Sequence, residues 1–353
     1  MLSFKLMNIL LTSAGRRTYM VDYFKEALRG EGLVFVANSV MSPAMTKGDG
    51  HFLTPLIYSR DYIPFLLEQC KARQISLLVS LFDIDLPVLA AHRDEFAAIG
   101  TTVAVSDPET LWYCNDKLRM SERLLEAGIL TPHCFSDVKE ALGEIQNEEA
   151  FWPLVVKPRF GMGSLGILKA YTPEELSAVY GMCAREIAGT YLRYESASSG
   201  DRSVLIQEMC SGNEYGLDVI CDLHGNYVTT IVRRKMGMRS GETDEAVILG
   251  PDDPAWASLN KTGEKLAEIL KPRGLIDVDV IMDEGEQQPF VIDINARFGG
   301  GYPFSHLAGA DVPRAYVLWM KGMNEAARAA CTGAVPGIHG FKDISIKRME
   351  AEE

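Results

Sequence analysis

"GLIDVDVIMDEGEQQPFVIDINARFGGG", residues 274–301, is the stretch on which the fold turns. Both halves alternate branched apolar residues with short polar ones, the period of two expected of paired strands. Pairing them about Glu286 sets Asp279 opposite Asp293 and Asp277 opposite Asn295, with Val278, Val280, Ile292 and Ile294 on the other face. Directly opposed side chains lie ~5 Å apart, and like charges placed there are destabilising. Two carboxylates at that range share either a proton or a cation. Mg²⁺ resolves the conflict, because it takes hard oxygen ligands in an octahedron and keeps positions for substrate phosphates. Asp279, Asp293 and the amide oxygen of Asn295 are the candidate ligands, with Mn²⁺ able to substitute. Arg297 continues the same face and would meet a phosphate or an acyl phosphate. The competing reading is a solvated polar face, but such faces favour Thr, Lys and Glu over short acids and amides in register.

Working upstream, "FWPLVVKPRFGMGSLGILKA" (151–170) reads as strand, glycine loop, strand. Residues 161–166 satisfy GxGxxG, yet a dinucleotide fold needs a helix immediately after that loop. Here the helix starts only at Pro173, behind Thr172 as a cap. The loop is therefore a hairpin flap whose backbone N–H groups at Gly161, Gly163, Ser164 and Gly166 can reach phosphates. Lys157, on the entering strand, can place an ammonium against an α- or β-phosphate. An NAD-dependent oxidoreductase is excluded by the same strand context.

The first hundred residues alternate strand and helix. Strands are read at LMNILLTSAG, GLVFVANS, ISLLVSLFD and TTVAVSD, with helices at TYMVDYFKEALRG, DYIPFLLEQCKARQ and LPVLAAHRDEFAAIG. Such order implies a doubly wound parallel sheet with its crevice at the strand C-termini. Arg16 and Arg17 after the first strand, and Asp83 and Asp85 after the third, are candidate substrate contacts there, with Arg233 from the later chain. Helix is expected over 107–129, strands at LIQEM, YGLDVICD and YVTTIVRRK, and helices at TGEKLAEILKP and VPRAYVLWMKGM.

A net charge of −13 argues against a nucleic-acid partner, which wants a basic surface. The seven cysteines are scattered and form no CxxC, which suits reduced thiols in the cytoplasm. The apolar N-terminal run is broken by Lys5 and Asn8 and meets Arg16-Arg17, so it reads as a buried strand rather than a secretory signal. No stretch approaches the ~20 apolar residues that cross a bilayer. His306, beside an apparent helix start, reads as a cap or packing residue.

Taken together, residues 107–310 resemble the ATP-grasp enzymes, most closely one synthetase half of the carbamoyl phosphate synthase large subunit. The resemblance implies a doubly wound pre-ATP-grasp domain at 1–110 and an ATP-grasp fold of two α+β subdomains, the small lobe at 111–195 and the large lobe at 196–325. A tail would follow at 326–353. Lys117 resembles the family's first nucleotide-contacting basic position and Lys157 the second. "LIQEMCSGNEYGLDV" resembles the adenine hinge, with Glu208, Met209 and Cys210 at the base and Glu214 at the ribose. "GMRSGET" (237–243) resembles a loop that closes on the phosphates, with Arg239 where that enzyme has His. Ala296 replaces the Pro of the family's NPR signature.

The resemblance implies ATP and Mg²⁺ as cofactors and an ADP-forming ligase in which a small carboxylate becomes an acyl phosphate and an amine or ammonia displaces phosphate. Lys157, Arg239 and Arg297 would stabilise the charge spread over the transferred group. A rival is phosphorylation of bicarbonate or carbamate, although the synthase fuses two such halves and this chain carries one. A rival of another class is a catalytically silent nucleotide-binding regulatory protein, which predicts a broken ligand set, and none is broken here. A homodimer is the default assembly.

Overall fold

A computed structural model describes residues 6–161, 166–196, 202–239, 241–283, 285 and 287–344. Among them the strands form three sheets. The first contains β1 (Asn8–Thr12), β2 (Val34–Asn38), β3 (Gly50–Leu53), β4 (Ile75–Ser80) and β5 (Thr102–Val103), all parallel in the order β3-β2-β1-β4-β5. β1 (NILLT) is buried along its whole length, the mark of a strand covered on both faces. Helices α1 (Thr18–Leu28), α2 (Tyr62–Ala72), α3 (Asp85–Ala91) and α4 (Arg93–Ala98) supply that cover. Strand order reverses between β1 and β4, so the loops that leave them, carrying Arg16-Arg17 and Phe82-Asp83, flank one crevice.

Two expectations are corrected here. A fifth strand, β3, lies at the sheet edge where alternate residues are exposed and no apolar run announces it. The helix expected over LPVLAAHRDEFAAIG breaks at His92, whose φ of −113° and ψ of 13° divide α3 from α4.

The small lobe begins with α5 (Pro108–Asn115) and α6 (Lys117–Glu126), expected as one helix but interrupted at Asp116. Its antiparallel sheet is built from β6 (Cys134–Phe135), β7 (Leu154–Pro158), β8 (Leu168–Ala170) and β9 (Val204–Glu208) in the order β6-β9-β7-β8. Helices α7 (Val138–Gln146), α8 (Pro173–Gly189) and α9 (Leu192–Ser196) accompany it. Thr172 caps α8 by accepting from the Glu175 N–H at 3.2 Å. β7 and β8 pair directly across the glycine loop, as a hairpin and not a dinucleotide turn.

The large lobe is a six-stranded antiparallel sheet, β14-β13-β10-β11-β12-β15. Its strands are β10 (Asn213–Cys221), β11 (Tyr227–Arg239), β12 (Glu242–Ile248), β13 (Leu275–Asp283), β14 (Gln288–Asn295) and β15 (His339–Phe341). Helices α10 (Trp256–Leu270), α11 (Tyr302–Leu307), α12 (Val312–Met320) and α13 (Asn324–Cys331) complete it. The expected limits shift at both ends. β9, past the expected boundary at 195, pairs with β7 in the small lobe, and β15, within the expected tail, pairs with β12.

Three apolar cores result. One packs Leu10, Leu66 and Leu78 of the first domain with Val219, Ile276 and Ile294 of the large sheet. A second packs Ile9, Phe24 and Val79 with Ile231, Phe298 and Tyr316. The third draws only on the small lobe, from Phe135 to Ile206.

Candidate active site

β13 and β14 pair in the expected register: Asp277 with Asn295, Val278 with Ile294, Asp279 with Asp293. Beyond Asp279 the ladder shifts, so that Val280 pairs with Val291. Ile292 is the extra residue of this bulge. It lines the cleft with the acids instead of pointing away with Ile294, which corrects the simple alternation.

The acidic face forms the floor of a cavity of about 560 Å³ where the three parts of the chain meet. Arg16, Arg17 and Phe82 line it from the first domain, Lys117, Lys157, Gly161 and Tyr191 from the small lobe. The large lobe contributes Glu214, Arg233, Lys235, Glu242, Asp277, Asp279, Asp293, Asn295 and Arg297.

Lys117 is placed by its neighbour. The Asp116 carboxylate caps α6, accepting from the Leu118 and Arg119 N–H groups at 3.2 and 3.4 Å. The same carboxylate takes a two-pronged contact from Arg159, at 2.6 and 2.7 Å, tying the helix start to the end of β7. Lys117 Nζ then donates to the Gly161 carbonyl at 2.6 Å and lies 3.0 Å from Asp293 Oδ1. Lys157 is buried on β7 and donates to the Ile292 carbonyl at 3.4 Å. Burial, with the Lys117 charge added, lowers its ammonium below the ordinary lysine value.

Each acid of the face holds a basic partner. Arg233 on β11 is fully buried and bridges Asp218, at 2.7 Å, and Asp277. Gly216 on β10 makes the bridge possible, since a Cβ there would lie 2.6 Å from Arg233 Nε. Lys235 donates to Asp279 Oδ1 at 2.7 Å, with Glu214 3.8 Å away. Burial opposes both charges of the Lys235–Asp279 pair, and their mutual attraction outweighs it: the lysine is raised and the acid lowered. Arg297 Nε and Nη2 lie 2.8 and 2.6 Å from Asp83 Oδ2, and Nη2 reaches Asn295 Oδ1 at 3.1 Å. Burial works against this guanidinium, but Asp83 and Asp277 hold it above its ordinary value. Asp293 Oδ1, by contrast, is buried with no hydrogen-bond partner. Among the described residues no three of His, Cys, Asp and Glu gather as a ready metal cage.

Several expected residues stand elsewhere. Asp85 is not at the cleft: fully buried at the start of α3, it accepts from Thr12, Tyr62 and Ser80 hydroxyls at 2.6, 2.7 and 2.8 Å. It braces the sheet and is unavailable to a substrate. Asp83 is consumed by Arg297, and Arg233 by its two acids. Arg239 is exposed at the end of β11, paired with Asp244 at 2.8 Å, and does not line the cavity. The expected closing loop at 237–243 is the connection of the β11–β12 hairpin, with Glu242 and Thr243 on the cleft. Glu208, Met209 and Cys210 sit where β9 ends, outside the cavity wall, and Glu208 accepts from the Phe151 N–H at 3.1 Å. Gly163 and Ser164 lie outside the described residues; Gly166 has a φ of 69°. His306 stacks on Tyr23 with ring centres 3.6 Å apart and contacts Tyr302, a packing role.

Sequence reasoning missed Lys235, Glu242, Tyr191 and the Asp116–Arg159 pair. Lys235 was findable, because the period of two puts it on the same face as Arg233.

This fold and cleft define an ATP-binding architecture, and comparison with known proteins agrees. The family description "ATP-grasp domain" matches residues 114–301, and "PylC-like, N-terminal domain" matches residues 9–104. The chain belongs to the ATP-grasp family. The carbamoyl phosphate synthase large chain of Thermomicrobium roseum is 23% identical over 322 residues, 85% of this chain and 28% of that protein. The C-terminal section of the Methanopyrus kandleri large chain is 25% identical over 246 residues, 66% of this chain and 41% of that protein. The chain thus spans less than half the length of these curated relatives. A biotin carboxylase–β-γ-ATP complex from Campylobacter jejuni superimposes with a TM-score of 0.71 at 15% identity, covering 91% of this chain and 72% of that one. Staphylococcus aureus N5-carboxyaminoimidazole synthetase complexed with ADP gives 0.67 at 14% identity, covering 95% and 80%. Among the described residues no helix is long and apolar enough to cross a membrane.

Proposed function

We propose that the protein is an ATP- and Mg²⁺-dependent, ADP-forming ligase that joins a small-molecule carboxylate to an amine or ammonia through an acyl phosphate. One observation carries the reading: Lys117, Lys157, Arg297 and the Asp279–Asp293–Asn295 face converge on a single cavity that Gly161 and Ile167 also line. The donor set is hard oxygen, and the buried Asp293 Oδ1, met by the Lys117 ammonium at 3.0 Å without hydrogen-bond geometry, is the acceptor a divalent cation would satisfy. Asp293 and Asn295, with Asp279 beside them on the same face and paired to Lys235, are the residues that would hold that ion, which when bound would neutralise phosphate charge.

The chain's own groups do the rest. Lys117 and Lys157 present two ammonium groups from the small lobe, both withheld from bulk water. Arg297, oriented by Asp83, offers a fixed guanidinium for the carboxylate that becomes the acyl phosphate. Arg16 and Arg17 stand at the first-domain wall for an anionic substrate group. Glu214 on the cavity wall and Glu208 to Cys210 at the lobe junction are assigned to the nucleoside. Arg239 is assigned no catalytic part, since it lies off the cavity wall. No side-chain nucleophile is required. The seven unpaired cysteines accord with a cytoplasmic setting.

The test is ADP and phosphate formation from ATP and Mg²⁺ with pools of carboxylic acids and amines. Turnover that requires both an acid and an amine supports the ligase. A second reading, phosphorylation of bicarbonate or carbamate, is favoured by the carbamoyl phosphate synthase relatives. It predicts ADP formation with bicarbonate and no other acid. Nucleotide binding without turnover in any mixture would refute both and leave a binding protein.

A further inference from the structure

The carboxylates of the acidic face are not equivalent. Asp277, Asp279 and Asp293 have Arg233, Lys235 and Lys117 as partners before any ligand arrives, with Arg233 shared by Asp218 and Lys235 by Glu214. Lys157, buried beside them, adds a further cation. The partners differ in how they engage. Lys235 makes a formed hydrogen bond of 2.7 Å to Asp279, its side chain is 6% exposed, and Glu214 holds it from the other side at 3.8 Å. Lys117 donates to the Gly161 carbonyl at 2.6 Å and meets Asp293 Oδ1 at 3.0 Å as an ion pair without hydrogen-bond geometry, the looser of the two engagements.

We propose that Lys235 permanently occupies Asp279, so that the chain takes one divalent ion, on Asp293 and Asn295, and takes it only together with the nucleotide. The inference rests on the nucleotide-site reading above and deepens it. A bare divalent cation approaching this face meets no carboxylate without a cationic partner, and buried neighbouring ammonium groups are poorly screened. Nucleotide phosphates change the balance in two ways. They bring the negative charge that the face lacks, and they are competing acceptors for Lys117, whose hold on Asp293 is the looser of the two. Asp279 gains no such release, because Lys235, which reaches it from β11 across β10 on the cleft face, is held by a formed hydrogen bond and has two acidic anchors there, Asp279 and Glu214. Lys235 therefore stands in the place of a second metal ion, a fixed positive charge at the floor of the cleft.

The experiment counts bound Mn²⁺ by the loss of the free-ion electron paramagnetic resonance signal, on the intact chain, with and without ADP. The wild type is expected to bind no Mn²⁺ alone and one ion per chain with ADP. Lys235→Met frees Asp279 and is expected to bind two ions with ADP and to bind Mn²⁺ without nucleotide. The double variant Lys235→Met/Asp279→Asn, which removes both charges of the pair and so leaves no buried charge unpaired, should return to one ion at wild-type affinity. Two ions per wild-type chain with ADP would overturn the inference and leave the ligase reading standing. So would a loss of about tenfold or more in Mn²⁺ affinity in the double variant, the mark of a lost ligand. Failure of the wild type to bind ADP at all would overturn the nucleotide reading and this inference with it.

Discussion

Asp83→Ala tests the join between the first domain and the cleft. The Asp83 and Arg297 side chains are 8% and 7% exposed, and Oδ2 lies 2.6 and 2.8 Å from two guanidinium nitrogens. Removing the acid leaves the guanidinium buried with only Asn295 Oδ1 and the Phe298 carbonyl as acceptors, at 3.1 Å each. Arg17, whose own charge is disfavoured by burial and then by Arg297, sits near enough to feel the uncompensated cation. Breaking one side of a buried ion pair costs about 3–5 kcal/mol. At roughly 2 °C per kcal/mol for a chain of this size, the melting temperature should fall by roughly 6–10 °C. Asp83→Asn, which keeps an acceptor oxygen, should lose less. Asp83→Ala/Arg297→Met should recover most of the stability, because an apolar pair of similar volume replaces both charges, yet ADP formation should stay lost. Thermal unfolding and a coupled ADP assay on the four proteins read both effects. If Asp83→Ala melts with the wild type, or the double variant is the least stable of the set, the pair does not hold the interface.

Asp293→Ala should abolish Mg²⁺-dependent ADP formation while its circular dichroism and melting curve stay those of a folded protein; unchanged phosphate release would remove the ion from this face. Lys157 gives opposite pH trends. Its folded-state value is lowered, so the folded chain sheds the proton first, and stability without ligand should rise with pH between that lowered value and 10.5. ADP affinity, which needs the ammonium, should fall over the same range; Lys157→Met should flatten both curves in melting and binding titrations. His306→Ala should cost about 1–3 kcal/mol through the lost stack on Tyr23, yet leave ADP formation per folded molecule unchanged.

The hairpin at 274–301 was legible because period, turn and acid spacing all point one way, and the Asp279–Asp293 register follows from them. The bulge at Ile292 was not, since one extra residue on one strand leaves no compositional trace. The glycine hairpin was separated from a dinucleotide turn by the position of the next helix alone. Asp85 misled because a carboxylate after a parallel strand looks the same whether it meets solvent or hydroxyls from Thr12, Tyr62 and Ser80. The partnership of Asp83 with Arg297 joins residues 214 positions apart and has no local signal. GMRSGET was legible as a special connection, but its hairpin role depends on β12, whose ETDEAVI sequence alternates weakly.

The division of apolar packing has a consequence for motion. Both cores of the first domain run into the large lobe, so those two regions have to travel as one block. The part of the small lobe from Cys134 to Glu208, with a core to itself, can swing as a cover, carrying Lys157 and the β7–β8 pair toward a stationary acidic floor. Lys117 stays behind on α6, whose Met120 and Leu124 belong to the first core. Open and shut forms of this molecule should differ by one rigid rotation about the chain crossings before Cys134 and after Glu208, and the distance from Arg297 to Arg17 should be the same in both.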